Sequence, residues 1–151
     1  MNTFLKRYKE IFIMLLPLLF ITVNWYNSTR IGQDFSETIP FKGYEFLFYN
    51  RGEAFLLTYV LTLVIQIMAL NHSVLYKCSI IGHILCLYCL LIFPIIHAGT
   101  YIRNFYVFYN IGAYVAMICE VVVIVLNIID IYKKNENNRI KKNEITIGVK
   151  I

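Results

Sequence analysis

The sequence predicts an all-α polytopic membrane protein, an antiparallel bundle of four transmembrane helices. Three observations predict it. Apolar residues make up 59% of the 151-residue chain and charged residues only 15%, against roughly 45–50% and about 25% in soluble domains. A globule this small has no interior large enough to take so much apolar surface out of water. Four apolar stretches approach the roughly 20 residues a helix needs to cross a bilayer core of about 30 Å. All 14 Lys and Arg residues lie outside the apolar cores of those stretches.

The first stretch runs from Ile11 to Trp25, or over about 5–25 when Phe4 and Leu5 lengthen it. Lys6, Arg7 and Lys9 precede it as in a signal peptide, but Asn24, Trp25, Tyr26 and Asn27 offer no small-residue cleavage site. It therefore reads as a retained helix. The second stretch covers about 54–71, free of charge between Glu53 and His72. The third covers about 76–96 and the fourth about 106–130, the latter interrupted between Val107 and Ile129 by a single charge, Glu120. These spans make residues 1–132 one transmembrane domain, with an outer loop at 27–52 and a basic cytoplasmic tail at 133–151.

Orientation follows from Lys and Arg in the short flanks. Lys6, Arg7, Lys9, Lys77, Lys133, Lys134, Arg139, Lys141, Lys142 and Lys150 fall on one side; Arg30, Lys42, Arg51 and Arg103 fall on the other. The richer side is cytoplasmic, which places both chain ends there in a bacterial cytoplasmic membrane. Aromatic rings gather at the span ends, Trp25, Tyr26, Phe46, Tyr106 and Tyr109 among them, and are expected as headgroup-level anchors.

The loop at 27–52 is the one long connection, and such loops are often functional. It is expected to form a short hairpin or an interfacial flap, with Lys42, Tyr44 and Glu45 as candidate partner-binding residues. Asn50 and Glu53 form a candidate cap for the second span. The tail can touch anionic lipid, yet nothing around its lysines presents a groove-reading surface, so nucleic acid is not an expected partner.

Glu120 is the most informative residue. A carboxylate at mid-membrane costs a few kcal/mol, so it should face the interior and have a partner. Reflecting His83 through the turn between Tyr101 and Ile102 lands on Glu120, and a similar reflection near Ser73 brings Gln66 within about a turn. Gln66, His83 and Glu120 are thus expected to share one intramembrane polar layer. Such a layer either relays protons or binds a cation or small polar ligand, or holds helices together by hydrogen bonds.

Cys86-Leu87-Tyr88-Cys89 is a C-x-x-C, with Cys78 and Cys119 elsewhere. Together with four spans it resembles the membrane quinone-linked thiol oxidoreductases, and that resemblance implies a redox role for the pair. The chain departs from the family in two ways. Its outer loop contains no cysteine, and the pair falls near mid-membrane. A metal site from His83, Cys86, Cys89, Cys119 and Glu120 is chemically open, although H-x-x-C-x-x-C on one helix spreads over about 120°. The alternative is packing. Cys78, Gly82 and Cys86, and likewise Gly112, Ala116 and Glu120, recur every four residues as stripes that let membrane helices approach closely. Those stripes predict close contact between the third and fourth spans.

No nucleotide loop, catalytic triad or paired carboxylate is present in the sequence, so no catalysis and no cofactor are expected. The leading expectation is a small membrane protein that binds partners, as an accessory subunit or an immunity-type protein. Membrane lipid and another membrane protein are the expected partners, with room for a homo-oligomer. The alternatives are ion or small-solute transport through the Glu/His layer, and thiol-redox or metal chemistry. In general shape, and in Trp25, Pro40 and Gly43-Tyr44-Glu45, the chain resembles uncharacterised four-span proteins of bacterial inner membranes.

Overall fold

The computed structural model describes residues 8–31, 36–48, 52–72, 74–101 and 105–148. Its elements are α1 (Lys9–Leu15), a 3₁₀ turn η1 (Leu16–Phe20), β1 (Asn24–Ile31), β2 (Ser36–Lys42), α2 (Gly43–Phe48), α3 (Gly52–Ala69), α4 (Leu75–Tyr101), β3 (Phe105–Tyr109) and α5 (Ile111–Gly148). The expected all-α four-helix bundle is therefore corrected. The described residues form a mixed fold of five α-helices and a three-stranded antiparallel sheet. Two helices are long and apolar enough to cross a membrane, through Leu75–Ile96 (22 residues) and Ile111–Ile140 (30 residues).

Each lost span has a physical cause. In the first, Pro17 cannot donate to an α-helical hydrogen bond. The chain tightens there into η1 and leaves helical structure at Ile21. Seven α-helical and five 3₁₀ residues reach only about 20 Å, two-thirds of a bilayer core, and Phe4 and Leu5 lie outside the described residues. The second span has 17 apolar-helix residues, Glu53–Ala69, and stops at the turn 70–72. Asn50, the candidate cap of that helix, also lies outside the described residues. The start of the fourth span is not helical at all. Phe105-Tyr106-Val107-Phe108-Tyr109 forms β3, and Asn110 separates it from α5. Aromatic and β-branched residues suit a pleated surface as well as an apolar helix, and pairing with β1 decides between them.

The outer loop folds as a hairpin, β1 on β2 from Asn24↔Lys42 to Ile31↔Ser36. β3 joins the other side of β1 from Tyr26↔Tyr109 to Arg30↔Phe105, so the strand order is β2-β1-β3. α3, α4 and α5 pack in sequence, α1 lies against α5 and α3, and β1 meets the start of α5. α5 runs through residue 133 without a break, so the segment read as a separate tail continues the helix as far as Gly148.

Trp25 is the keystone between sheet and helices. It is 3% exposed, its indole N–H donates to the Phe20 carbonyl at 2.9 Å, and its ring lies 5.8 Å from Phe46 and 6.4 Å from Phe55. Gly43 and Gly112 press on it from two sides, so that a Cβ at either would overlap the indole. Tyr26 stacks on Phe41 at 4.7 Å. Trp25, Tyr26 and Phe46 are thus a buried core beneath the sheet, which corrects the expectation of headgroup anchors at these positions.

Candidate functional site

The helices bury polar side chains among apolar ones and are apolar outside. Among the described residues, Glu10, Thr62, Gln66, Ser79, His83, Glu120 and Asn127 are buried beside Phe55, Tyr59, Leu90, Ala116 and Val123. Their helices expose Leu57, Leu61, Val64, Ile67, Ile81, Ile84, Leu91, Ile118, Val121, Val125 and Ile128. Water would drive the opposite arrangement.

Two polar layers occupy the interior. In the layer nearer the sheet, His83 Nδ1 and Glu120 Oε2 are 2.5 Å apart, with the residues 0% and 2% exposed. They come together because α4 and α5 form an antiparallel hairpin in which equal distances from the turn mean equal depth. His83 Nε2, also buried, has no hydrogen-bond partner. His83 and Glu120 thus form one buried hydrogen-bonded pair between α4 and α5. Tyr59 on α3 donates to the Met14 carbonyl and tethers α1 to the same level. A cavity of about 20 Å³, with room for one water, lies beside Glu120 and is walled by Pro17, Trp25, Phe55, Tyr59 and Ala116.

The second layer lies toward the α3–α4 turn and contains Gln66, the third residue of the expected layer. Gln66 and Asn127 exchange two amide hydrogen bonds, each of 3.0 Å, and Ser79 donates to Gln66 Oε1. The expected single layer is thus two. Sequence reasoning missed Asn127 and Ser79. Their signals were present: Asn127 follows Glu120 by seven residues and Ser79 precedes His83 by four, spacings that keep each on one helix face. One turn of α3 from Gln66, Thr62 Oγ1 donates to the Thr58 carbonyl at 2.7 Å and lies 3.8 Å from Cys86 Sγ.

The small-residue stripes work, but on other neighbours. A Cβ on Gly82 would overlap Thr62 of α3, and one on Gly112 would overlap Trp25, so neither glycine serves the α4–α5 contact. Cys78, Cys86, Cys89 and Cys119 are free thiols, the last three buried. Among the described residues, no three of His, Cys, Asp and Glu converge as metal ligands. Lys42, Tyr44 and Glu45 largely bond to one another. The Lys42 N–H donates to Glu45 Oε2 at 2.8 Å, the Tyr44 hydroxyl donates to Glu45 Oε1 at 3.4 Å, and the Lys42 ammonium lies 5.8 Å from the Tyr44 ring centre. They close the β2–α2 junction.

At the far end from the sheet, Lys9 bridges Glu10 at 3.2 Å and Asp130 at 3.6 Å. Burial pushes the Glu10 carboxyl above its usual range, while a backbone hydrogen bond and the Lys9 ammonium pull the other way. At the sheet end, burial raises the Tyr26 phenol, and the Glu45 carboxylate adds to the effect. No protein family, curated protein or solved structure matches this chain.

Proposed function

We propose that the chain is an integral membrane protein that works by binding a partner protein through its sheet, in an accessory-subunit or immunity-type role. The apolar outer faces of the helices and the paired polar groups inside them support insertion, because exposed Leu, Ile and Val are satisfied by acyl chains and buried amides by one another. Lys9, Lys77, Lys133, Lys134 and Arg139 lie at the end away from the sheet, which orients that end to the cytoplasm of a bacterial inner membrane and the sheet to the outside.

One observation carries the partner-binding reading: the two edges of the sheet are unlike. β2 is guarded by Pro40, Glu37 and Lys42, devices that discourage further strand pairing. β3 ends the sheet on the other side with no charge and no proline. Tyr106 is 58% and Phe108 56% exposed, on the same side of the strand. An extended segment of another protein can add to such an edge, with main-chain hydrogen bonds for affinity and the two rings for selectivity.

A photo-crosslinking residue at Tyr106 or Phe108, in cells, should give one discrete protein adduct. The same probe at Thr38 on β2 should give none. Adducts to lipid alone would sink this reading and return the rings to a headgroup role.

A second reading has its own support. The unpartnered His83 Nε2 and the water-sized cavity against Glu120 favour a centre that exchanges its shared proton with a bound water, as proton-conducting proteins require. The full chain in liposomes should then carry protons at a rate that Glu120→Gln reduces to that of empty liposomes, with the fold retained. Equal rates for wild type and empty liposomes would remove it.

A further inference from the structure

We propose that the cleft between the first turn of α4 and the continuation of α5 is a binding site for the phosphate of an anionic phospholipid headgroup. This rests on the membrane reading and adds to it a specific site and ligand.

The cleft has a volume of about 170 Å³ and is lined by Val74, Lys77, Ile131, Lys134, Asn135 and Asn138. On α5 the spacing of 131, 134, 135 and 138 puts all four residues on one helix face. Val74 and Lys77, three apart, come from the opposing side. The polar lining therefore consists of two ammonium groups and two carboxamides, with no carboxylate among them. The nearest acids in sequence are elsewhere: Asp130 is engaged by Lys9 at 3.6 Å, and Glu136 does not line the cleft. A lining of cations and amide donors suits a phosphate oxyanion.

Position selects the lipid as the source of that phosphate. The cleft lies where the bilayer-crossing stretch of α4 begins at Leu75. On α5, exposed Ile128, Ile129 and Tyr132 give way there to Lys133 and Lys134. Val74, 75% exposed, and Ile131 add apolar side chains to the lysines and amides of the lining. A free phosphate has no use for those apolar side chains. A phospholipid fits both kinds, its headgroup on the lysines and amides and its first acyl carbons on Val74 and Ile131.

The test uses the full chain, delipidated in a neutral detergent and titrated with phosphatidylglycerol, phosphatidylcholine or inorganic phosphate under native mass spectrometry. One phosphatidylglycerol per chain should bind in preference to phosphatidylcholine, whose choline ammonium faces the same lysines. Lys77→Gln with Lys134→Gln should weaken that binding by about 25-fold, from about fivefold per lysine. Lys133→Gln with Arg139→Gln, which removes the same charge outside the cleft, should leave it within about twofold. Equal losses in the two double variants would overturn the cleft as a site. Inorganic phosphate displacing the lipid at equal concentration would overturn the choice of lipid. Resistance of the chain to carbonate extraction from membranes is measured in parallel. A carbonate-resistant chain that binds no phosphatidylglycerol overturns this inference alone, whereas an extractable chain overturns the membrane reading beneath it.

Discussion

Glu120→Ala is expected to lower the stability of the detergent-solubilised chain by about 2–3 kcal/mol, read as a fall in the midpoint of unfolding. Hydrogen bonds between membrane helices average well under that, about 0.6 kcal/mol, because the unfolded reference state in lipid also finds partners. The His83–Glu120 pair belongs at the upper end for two reasons. Both residues are at most 2% exposed and the contact is 2.5 Å, so little water competes with it. Removal of the carboxylate also leaves His83 with no partner on either ring nitrogen, since Nε2 already lacks one, and stranding a buried partner costs more than an average bond contributes. Glu120→Gln keeps an oxygen acceptor and should cost about 1 kcal/mol. The double variant His83→Leu, Glu120→Leu removes both polar groups and should recover most of the loss. A double variant as unstable as the sum of the singles would show that the two residues act independently.

Gly112→Leu is expected to abolish the folded state, giving a chain that aggregates on size exclusion in detergent. Even the Cβ would overlap the Trp25 ring. The indole cannot yield, because its N–H is held on the Phe20 carbonyl, Phe46 and Phe55 lie against it, and Gly43 closes its other side. Gly112→Ala sets two effects against each other. Helix propensity favours alanine by about 1 kcal/mol, and overpacking a rigid neighbour costs about 1–3 kcal/mol. Overpacking should win, with a net loss of roughly 1 kcal/mol. Tyr114→Leu, at a 53% exposed position two residues on, should change little. A well-behaved Gly112→Leu protein would mean that Trp25 does not lie on α5.

How much could be read beforehand varies from residue to residue. The meeting of His83 and Glu120 followed from chain arithmetic, because an antiparallel hairpin with a short turn matches depths on its two arms. Gln66 escaped the same arithmetic by about one turn of helix, and its actual partners, Ser79 and Asn127, are neutral residues that cost less to bury and so drew no notice. The hairpin of the outer loop was an open alternative. β3 was not foreseen, because Phe105–Tyr109 is as apolar as the helix it was assigned to.

Apolar content, the depth of each polar residue and the bias of Lys and Arg are properties of single positions, additive along the chain. Those quantities were sufficient to place Glu120 in the interior and to mark about 76–96 and 106–130 as spans, where the structure has Leu75–Ile96 and Ile111–Ile140, but they marked two further spans that the fold does not keep. The sheet, the end of the first helix at Ile21 and the clamping of Trp25 depend on residues far apart in sequence. β1 must find β3 across about 80 residues, and Gly43 and Gly112 must converge on one indole. Strand pairing satisfies backbone groups that no local pattern assigns to a partner, so the same aromatic run is helix or strand according to what lies beside it.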